Sequence, residues 1–270
     1  MTQINSSQEQ KLRNMIHRQN YQISLLRNKF FALQEALLTS GIINPYGEID
    51  ERVRYIVPVE KRILENSDTL VVIFSGMATQ LSMPPAEFMR TFLSKNISVI
   101  FIKDFWQCWY QKGLLGISNN IQDTVTYLRQ ELSEISYKKL VFIGTSAGGY
   151  ASLLFGNLLN ADNVLCFSPQ TNIQRKVFNR FKSQDSRLKD IDFNCPYLDL
   201  NQTFKLHDYS GKINIYFGEH NLVDKEHASN LIDFEYVNLI PLATDSHNTA
   251  EYLKEQGKLD KILEAKINLV

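Results

Sequence analysis

Short apolar runs rich in β-branched and aromatic residues recur along most of this chain, and they restrict the folds that it can adopt. Each run has the length of a β-strand, and stretches with helical spacing separate most of them. Strands that alternate with helices form a parallel sheet covered on both faces. We therefore predict an α/β fold with a mostly parallel, doubly wound sheet. The runs are residues 69–76, 97–104, 139–146, 163–169, 213–219 and 234–240.

The first forty residues follow a different pattern, in which apolar residues return at alternating intervals of four and three with one interruption at Gln19. This is the spacing of a heptad seam, and it predicts a long N-terminal helix over residues 1–40. An apolar stripe of this kind favours a homo-oligomer formed through residues 9–38. The alternative is that the stripe packs on the chain's own α/β domain. The seam residues are Leu12, Ile16, Ile23, Leu26, Phe30, Leu33 and Leu37.

Glycine and proline interrupt the helical pattern after the seam, at Gly41, Pro45 and Gly47. Such residues are typical of a break between elements, so we predict a linker over residues 41–68 and an α/β domain over residues 69–270. The stretch RYIVPV, residues 54–59, is predicted as an edge strand because its proline excludes a central position in a sheet.

The overall charge excludes several classes of partner. The chain carries 29 basic and 29 acidic residues, so no net field favours nucleic acid or an anionic membrane.

The three cysteines, Cys108, Cys166 and Cys195, are too few and too scattered for a disulfide framework or a metal site. No apolar run approaches the roughly 18 residues of a membrane span. We expect a cytoplasmic protein without a membrane span, a metal or a cofactor.

The stretch LVFIGTSAGGYASLLFG, residues 140–156, joins a predicted strand to a predicted helix through a G-x-S-x-G sequence. In this context the central serine, Ser146, lies on a sharp turn that exposes its hydroxyl as a nucleophile. Gly144 and Gly148 are needed there because the flanking backbone comes too close for a Cβ atom. The alternative is that the glycines only allow the helix to pack closely on the sheet.

A serine hydroxyl needs a base, and His247 is the best-placed histidine. It follows the last predicted strand and precedes the last helix, so its imidazole can reach across the sheet edge to Ser146. The alternative is a surface or helix-capping histidine. His220 and His227, which follow the preceding strand, remain weaker candidates.

A carboxylate must hold the histidine in the correct tautomer, and the loop after the strand at 213–219 offers Glu219 and Asp224. We favour Asp224, because Glu219 leaves the strand early and points sideways. Asp224 has the alternative role of a helix N-cap. A common hydrolase pattern puts aspartate at position 221, where this chain has Asn221, so the choice of acid stays open.

Serine, acid and histidine follow one another in the order that α/β hydrolases have, and the chain resembles the α/β-hydrolase fold over about residues 69–265. The resemblance implies an oxyanion hole formed by the amide of Ala147 and by an amide in FSGMATQ. Met77 is the preferred donor in that segment and Gly76 is the second choice. The segments FSGM, KDFWQCWYQKG, GTSAGGYASLLFG and CFSPQT are also similar to bacterial α/β hydrolases associated with surface-polysaccharide biosynthesis.

Two segments are candidates for substrate binding. Residues 103–116 concentrate aromatic side chains that can stack on a sugar or an acyl group, with loop packing as the alternative. Residues 170–205 fall where this fold carries its lid, and their basic residues suit an anionic substrate, with a solvated helix face as the alternative. The candidates are Trp106, Trp109, Tyr110, Arg175 and Arg180.

These residues support three hypotheses. The first is a serine hydrolase of the esterase or deacylase type that acts on a small-molecule ester or an acylated glycan through an acyl-enzyme on Ser146. The second is an O-acyltransferase that modifies a bacterial surface polysaccharide. The third is a non-catalytic partner protein, which the elbow and His247 disfavour. The hydrolase comes first because hydrolases dominate this fold.

Overall fold

The computed structural model describes residues 6–49, 57–77, 81, 88, 90–92, 94–174 and 192–267. It divides the chain into two compact units, Met1–Asn44 and Pro45–Val270. The basic residues Arg175 and Arg180 and the rest of residues 175–191 of the predicted lid lie outside the described residues. The lid and the linker therefore stay predictions, and the two units are treated one at a time.

The first unit contains one long helix, α1, from Ser6 to Thr39. At 34 residues it is about 51 Å long. Four seam residues are exposed on it, with exposed fractions of 48% for Ile16, 66% for Leu26, 62% for Phe30 and 57% for Leu33. The helix thus presents an apolar stripe to water. Of the described helices, none is long and apolar enough to cross a membrane.

The second unit is built on an eight-stranded sheet in the order β1-β2-β4-β3-β5-β6-β7-β8. Neighbouring strands are parallel except for β2 and β4, which are antiparallel. The predicted α/β class with a mostly parallel sheet is confirmed. The strands are β1 Tyr46–Glu48, β2 Val59–Arg62, β3 Thr69–Phe74, β4 Ser98–Ile102, β5 Lys139–Thr145, β6 Asn163–Phe167, β7 Lys212–Gly218 and β8 Val237–Leu242.

Two strand positions differ from the sequence predictions. The strand predicted at residues 54–59 is β2, which begins only at Val59, and it is not an edge strand because β1 pairs with its outer side. Pro58 precedes it, as suits a residue without an amide hydrogen. The last strand begins at Val237, because Phe234 lies in a turn and packs its ring on Phe204 with centroids 5.4 Å apart.

Helices cover both faces of the sheet. In β3, alternate residues enter two separate cores: Leu70, Val72 and Phe74 face one, and Val71 and Ile73 face the other. This is why the central strands read as continuous apolar runs. The helices of this unit whose bounds the structure describes are α2 Ile121–Ser133, α3 Ala147–Leu158, α4 Leu200–Phe204, α5 Leu222–Ser229, α6 Thr249–Glu255 and α7 Leu259–Ile267.

The sheet order brings the loops that carry the predicted site residues to one end of the sheet. β5 lies between β3 and β6, and β7 lies between β6 and β8. Because these strands are parallel, the loops that follow β3, β5, β7 and β8 all leave from the same end of the sheet, where α/β proteins place their sites.

Self-association through α1 is a prediction that the exposed seam makes testable. We expect the full-length protein to sediment as an oligomer, because pairing the seams of two copies removes these side chains from water. Replacing Leu26, Phe30 and Leu33 together by glutamate is expected to give a monomer, because charges in a helix seam repel each other.

The matched control is Tyr21→Glu, which changes a side chain that is 68% exposed and lies opposite the seam in the heptad. This variant should keep the mass of the unchanged protein in sedimentation equilibrium. Equal monomer masses for the unchanged protein and the triple variant would show that residues 9–38 do not join copies of the chain.

Candidate active site

Ser146 lies on a strained turn between β5 and α3. Its φ of 52° and ψ of −115° place it in a region that costs a non-glycine residue about 1–3 kcal/mol. Three hydrogen bonds hold it there. Its amide donates to the carbonyl of Phe167 at 2.9 Å, and its carbonyl accepts from the amides of Tyr150 at 3.0 Å and Gln170 at 3.3 Å. The serine is therefore fixed by β6 and by the helix that it begins.

The glycines on either side of the elbow have no room for a side chain. A Cβ atom on Gly144 would lie 2.0 Å from the carbonyl oxygen of Gly148. One on Gly148 would lie 2.1 Å from the carbonyl oxygen of Phe74, at the end of β3. The close approach expected from the sequence is present, and it brings the elbow against the segment that carries Gly76 and Met77.

The side chains of Ser146, His247 and Asp224 form a continuous chain of hydrogen bonds. Nε2 of His247 lies 2.9 Å from Oγ of Ser146, and Nδ1 lies 2.7 Å from Oδ1 of Asp224. A carboxylate only accepts, so Nδ1 carries the hydrogen and donates it. Nε2 of the neutral ring then holds a lone pair, which accepts the hydrogen of the serine hydroxyl.

The carboxylate of Asp224 is enclosed by protein, whereas the imidazole of His247 is not. The side chain of Asp224 is 2% exposed and that of His247 is 40% exposed. The second carboxylate oxygen of Asp224, Oδ2, is buried with no hydrogen-bond partner in the described part of the chain. A buried charge is stabilised by its ionic and hydrogen-bonded partners. Asp224 is thus arranged to stabilise a positive charge on His247.

The loops that carry the acid and the histidine are paired with each other. The amide of Glu219 donates to the carbonyl of Leu242 at 2.8 Å, and the amide of His220 donates to that of Thr244 at 3.1 Å. The pairing of β7 with β8 therefore continues beyond both strands. A Cβ atom on Gly218 would lie 2.8 Å from the carbonyl oxygen of Thr244, so the glycine permits this approach.

A second contact fixes the far side of the histidine loop, and sequence reasoning missed it. Oγ of Ser168, just after β6, lies 3.0 Å from Oγ1 of Thr249, at the start of α6. The amide of Ser168 donates to the carbonyl of Tyr216 at 2.7 Å, and its φ is 45°. The signal for this contact in the sequence is the pair Ser168-Pro169, which ends the apolar run over residues 163–169.

One backbone amide suited to an oxyanion, that of Ala147, follows the serine directly. Ala147 is the first residue of α3, and the first amides of a helix have no acceptor within the helix and point outward. Met77 is half-buried and follows β3. The end of β3 is held in place because the amide of Ser75 donates to the carbonyl of Ile102 at 2.9 Å.

Tyr110 reinforces this end of β3. Its hydroxyl donates to the carbonyl of Ser75 at 2.9 Å and also lies 3.2 Å from that of Ile102. Burial raises the pKa of Tyr110 well above its usual range, so the hydroxyl keeps its proton and remains a donor. The phenol therefore stabilises the backbone that precedes Gly76 and Met77.

The aromatic loop after β4 is a packed structure and not an open platform. Tyr110 is fully buried and Trp109 is 3% exposed, so neither ring offers a face to a ligand, contrary to the expectation of substrate contact. Oδ2 of Asp104 accepts from the amides of Cys108 at 2.8 Å and Tyr110 at 3.0 Å. The indole of Trp109 donates to Oε1 of Gln170 at 2.5 Å.

Trp106 is the half-buried member of the three predicted aromatic contacts. The ammonium of Lys112 lies 4.3 Å from the centroid of its indole ring, which is a cation–π contact. Trp106 thus keeps the binding role as a prediction, while Trp109 and Tyr110 support the loop.

The other candidates lie apart from the hydrogen-bonded chain. Glu219 and His220 are exposed in the turn after β7. His227 lies on α5, where its carbonyl accepts a hydrogen bond from Oγ1 of Thr171 at 2.6 Å. Of the two carboxylates that the sequence left open, Asp224 is the one that reaches His247.

Comparison with known proteins places the fold. No protein-family model matches the chain, and no curated protein matches it. Among solved structures, the capsule O-acetyltransferase of Neisseria meningitidis serogroup A matches with a TM-score of 0.56 at 16% identity, covering 75% of this chain and 90% of that chain.

Two further solved structures match at similar levels. Esterase B from Lactobacillus rhamnosis has a TM-score of 0.53 at 13% identity, covering 77% of this chain and 79% of that chain. An alpha/beta hydrolase enzyme from a lagoon-sediment metagenome has a TM-score of 0.51 at 13% identity, covering 76% of this chain and 95% of that chain. The α/β-hydrolase fold inferred from the elbow and the histidine is thereby confirmed.

The contact between Asp224 and His247 predicts how Ser146 reacts. Asp224→Asn should slow covalent modification of Ser146 by an organophosphonate on the order of 10³- to 10⁴-fold, because an amide that donates to Nδ1 selects the wrong tautomer. Glu219→Gln should leave the rate nearly unchanged, because Glu219 is exposed. Thermal unfolding of both variants checks that they fold, and the reverse ranking of rates would assign the acid to Glu219.

Proposed function

We propose that this protein is a serine hydrolase of the esterase or deacylase type, with Ser146 as the nucleophile, His247 as the base and Asp224 as the acid. The observation that carries the proposal is the pair of contacts at 2.9 and 2.7 Å that joins these three side chains. A nucleophile within hydrogen-bond distance of a base, itself oriented by a third group, is the arrangement that covalent acyl transfer requires.

Acylation begins when Oγ of Ser146 attacks the carbonyl carbon of an ester while Nε2 of His247 takes the hydroxyl proton. The imidazolium is stabilised by Asp224, whose carboxylate accepts from Nδ1 and stays ionised. The tetrahedral intermediate then collapses. The imidazolium gives its proton to the leaving alkoxide, the alcohol departs, and the acyl group remains on Ser146.

Deacylation repeats the same steps with water. His247 takes a proton from the water as the oxygen attacks the acyl carbon, and it then returns a proton to Oγ of Ser146 as the acid leaves. The half-exposed imidazole suits this step, because the acceptor must reach Nε2 from solvent.

The oxyanion of both intermediates needs donors that are already in place. The amide of Ala147 and the amide of Met77, with Gly76 as the alternative, are proposed for this role. Removing one such donor costs an enzyme on the order of 10²- to 10³-fold in turnover. The elbow glycines and Tyr110 support the proposal, because they fix the two backbone segments that supply these amides.

A second candidate is an O-acyltransferase, in which a sugar hydroxyl replaces water as the acceptor. The observation that favours it is the match to the Neisseria capsule O-acetyltransferase, which covers 90% of that chain. A variant of that protein has been solved in complex with CoA. In this chain an acyl-CoA thioester would then acylate Ser146, and CoA would leave as the thiol with the proton that His247 took from the serine. A glycan hydroxyl would next give its proton to His247 as it takes the acyl group, and His247 would return that proton to Oγ of Ser146.

The proposal predicts covalent labelling of one serine. A fluorophosphonate probe should modify wild-type protein at Ser146, and Ser146→Ala should abolish labelling. His247→Ala should slow ester hydrolysis by about as much as Ser146→Ala, on the order of 10³-fold or more, because the two residues act as one unit. Ser133→Ala, which changes an exposed serine on α2, is the control and should label normally.

Failure of the wild-type protein to label or to cleave any p-nitrophenyl ester across a series of acyl lengths would contradict the proposal and favour the non-catalytic hypothesis.

The products distinguish the two catalytic candidates. With an activated ester or an acyl-CoA as donor, the hydrolase is expected to release free acid at the same rate with and without a polysaccharide acceptor. The transferase would instead consume the donor faster when the acceptor is present and yield acylated glycan, because its acyl-enzyme waits for the acceptor. Mass spectrometry of the products with a panel of acidic bacterial polysaccharides provides the measurement.

A further inference from the structure

We propose that Asn221 is a positioning residue that joins the loop of the acid to the loop of the histidine and so sets the contact between Asp224 and His247. The inference rests on the proposed function, since the contact it sets is the one on which Ser146 depends. Asn221 occupies the position at which the sequence pattern leads one to expect an acid. Its side-chain amide contacts the start of α5 through its oxygen and the histidine loop through its nitrogen.

The oxygen of the side chain orients the acid. Asn221 is the N-cap of α5, and its Oδ1 accepts from the amides of Val223 and Asp224, both at 3.2 Å. An N-cap satisfies amides that have no acceptor within the helix and fixes where the first turn begins. Asp224 lies in that first turn. The cap therefore determines the direction in which the carboxylate of Asp224 leaves the backbone.

The nitrogen of the side chain holds the histidine loop. Nδ2 of Asn221 donates to the carbonyl oxygen of Asp245 at 3.1 Å, two residues before His247. This bond continues the row formed by the amides of Glu219 and His220, which bond to Leu242 and Thr244. Asn221 is thus the last member of the row, and it is the one nearest to the imidazole along the chain.

Few side chains can fill both roles. An amide group accepts through its oxygen and donates through its nitrogen, whereas an ionised carboxylate only accepts. Aspartate at 221 would keep the cap, but it would turn a negative oxygen toward the carbonyl of Asp245 and add a second negative charge near Asp224. The asparagine is therefore suited to a loop in which the acid lies three residues farther along.

The decisive variant is Asn221→Asp, because it preserves the cap of α5 and replaces the donated bond by a negative oxygen that faces the carbonyl of Asp245. We expect it to lower kcat for ester hydrolysis about tenfold or more with KM nearly unchanged, since the change acts on the contact between Asp224 and His247 and not on the groups proposed to bind the ester. Asn221→Ala loses both contacts and should lower kcat further. The midpoint of thermal unfolding should change little in Asn221→Asp and fall in Asn221→Ala.

The matched control is Asn120→Asp. Asn120 is the N-cap of α2, and its Oδ1 accepts from the amide of Asp123 at 2.8 Å. The same exchange of asparagine for aspartate at a helix N-cap is made there on a helix that carries no group of the hydrogen-bonded chain. This control should keep full kcat. If Asn221→Asp also keeps full kcat, the positioning role is overturned.

A spectroscopic readout separates this inference from the proposed function. A proton shared between Nδ1 of His247 and the carboxylate of Asp224 gives a strongly downfield proton resonance, whether or not the protein turns over an ester. The signal should be present in the unchanged protein and in Asn120→Asp, and it should be shifted or lost in Asn221→Asp. An inactive wild type would refute the proposed function alone. An unaltered resonance in Asn221→Asp would refute the positioning role.

Discussion

The strained backbone of Ser146 is the constraint on which the rest of the site depends. A positive φ at a non-glycine residue persists only when its surroundings hold it, and here the carbonyl of Phe167 and the first turn of α3 do so. The absence of side chains at Gly144 and Gly148 lets the elbow press against the end of β3. The same contact that exposes the hydroxyl thus brings two backbone segments together beside it.

His247 and Asp224 lie on separate loops, and sheet register brings them together. β7 and β8 are neighbouring parallel strands, and their pairing continues into the residues beyond Gly218 and Leu242. The two loops therefore leave the sheet as one unit, with Ser168 and Thr249 fixing one side. The imidazole meets both the serine and the carboxylate because each of its flanking segments is anchored.

Much of this arrangement was predictable from the sequence, because apolar period and the G-x-S-x-G spacing report on local structure. The choice between Asp224 and Glu219 was open, with Asp224 favoured, because both residues follow the same strand. The helix start capped by Asn221, which places Asp224 in its first turn, did not enter the prediction. The roles of Trp109 and Tyr110 were not predictable. Their burial depends on Asp104, which draws two amides of the loop to one carboxylate.

The central claim is that acyl groups pass through Ser146, and trapping the intermediate tests it most directly. Wild-type protein mixed with an activated acetyl ester, quenched in acid within the first turnover and digested, should show one added acetyl group on the peptide that contains Ser146. The adduct should be absent from Ser146→Ala treated in the same way. Release of acetate without any adduct on that peptide, or an adduct on another residue at the same rate in both proteins, would contradict the account.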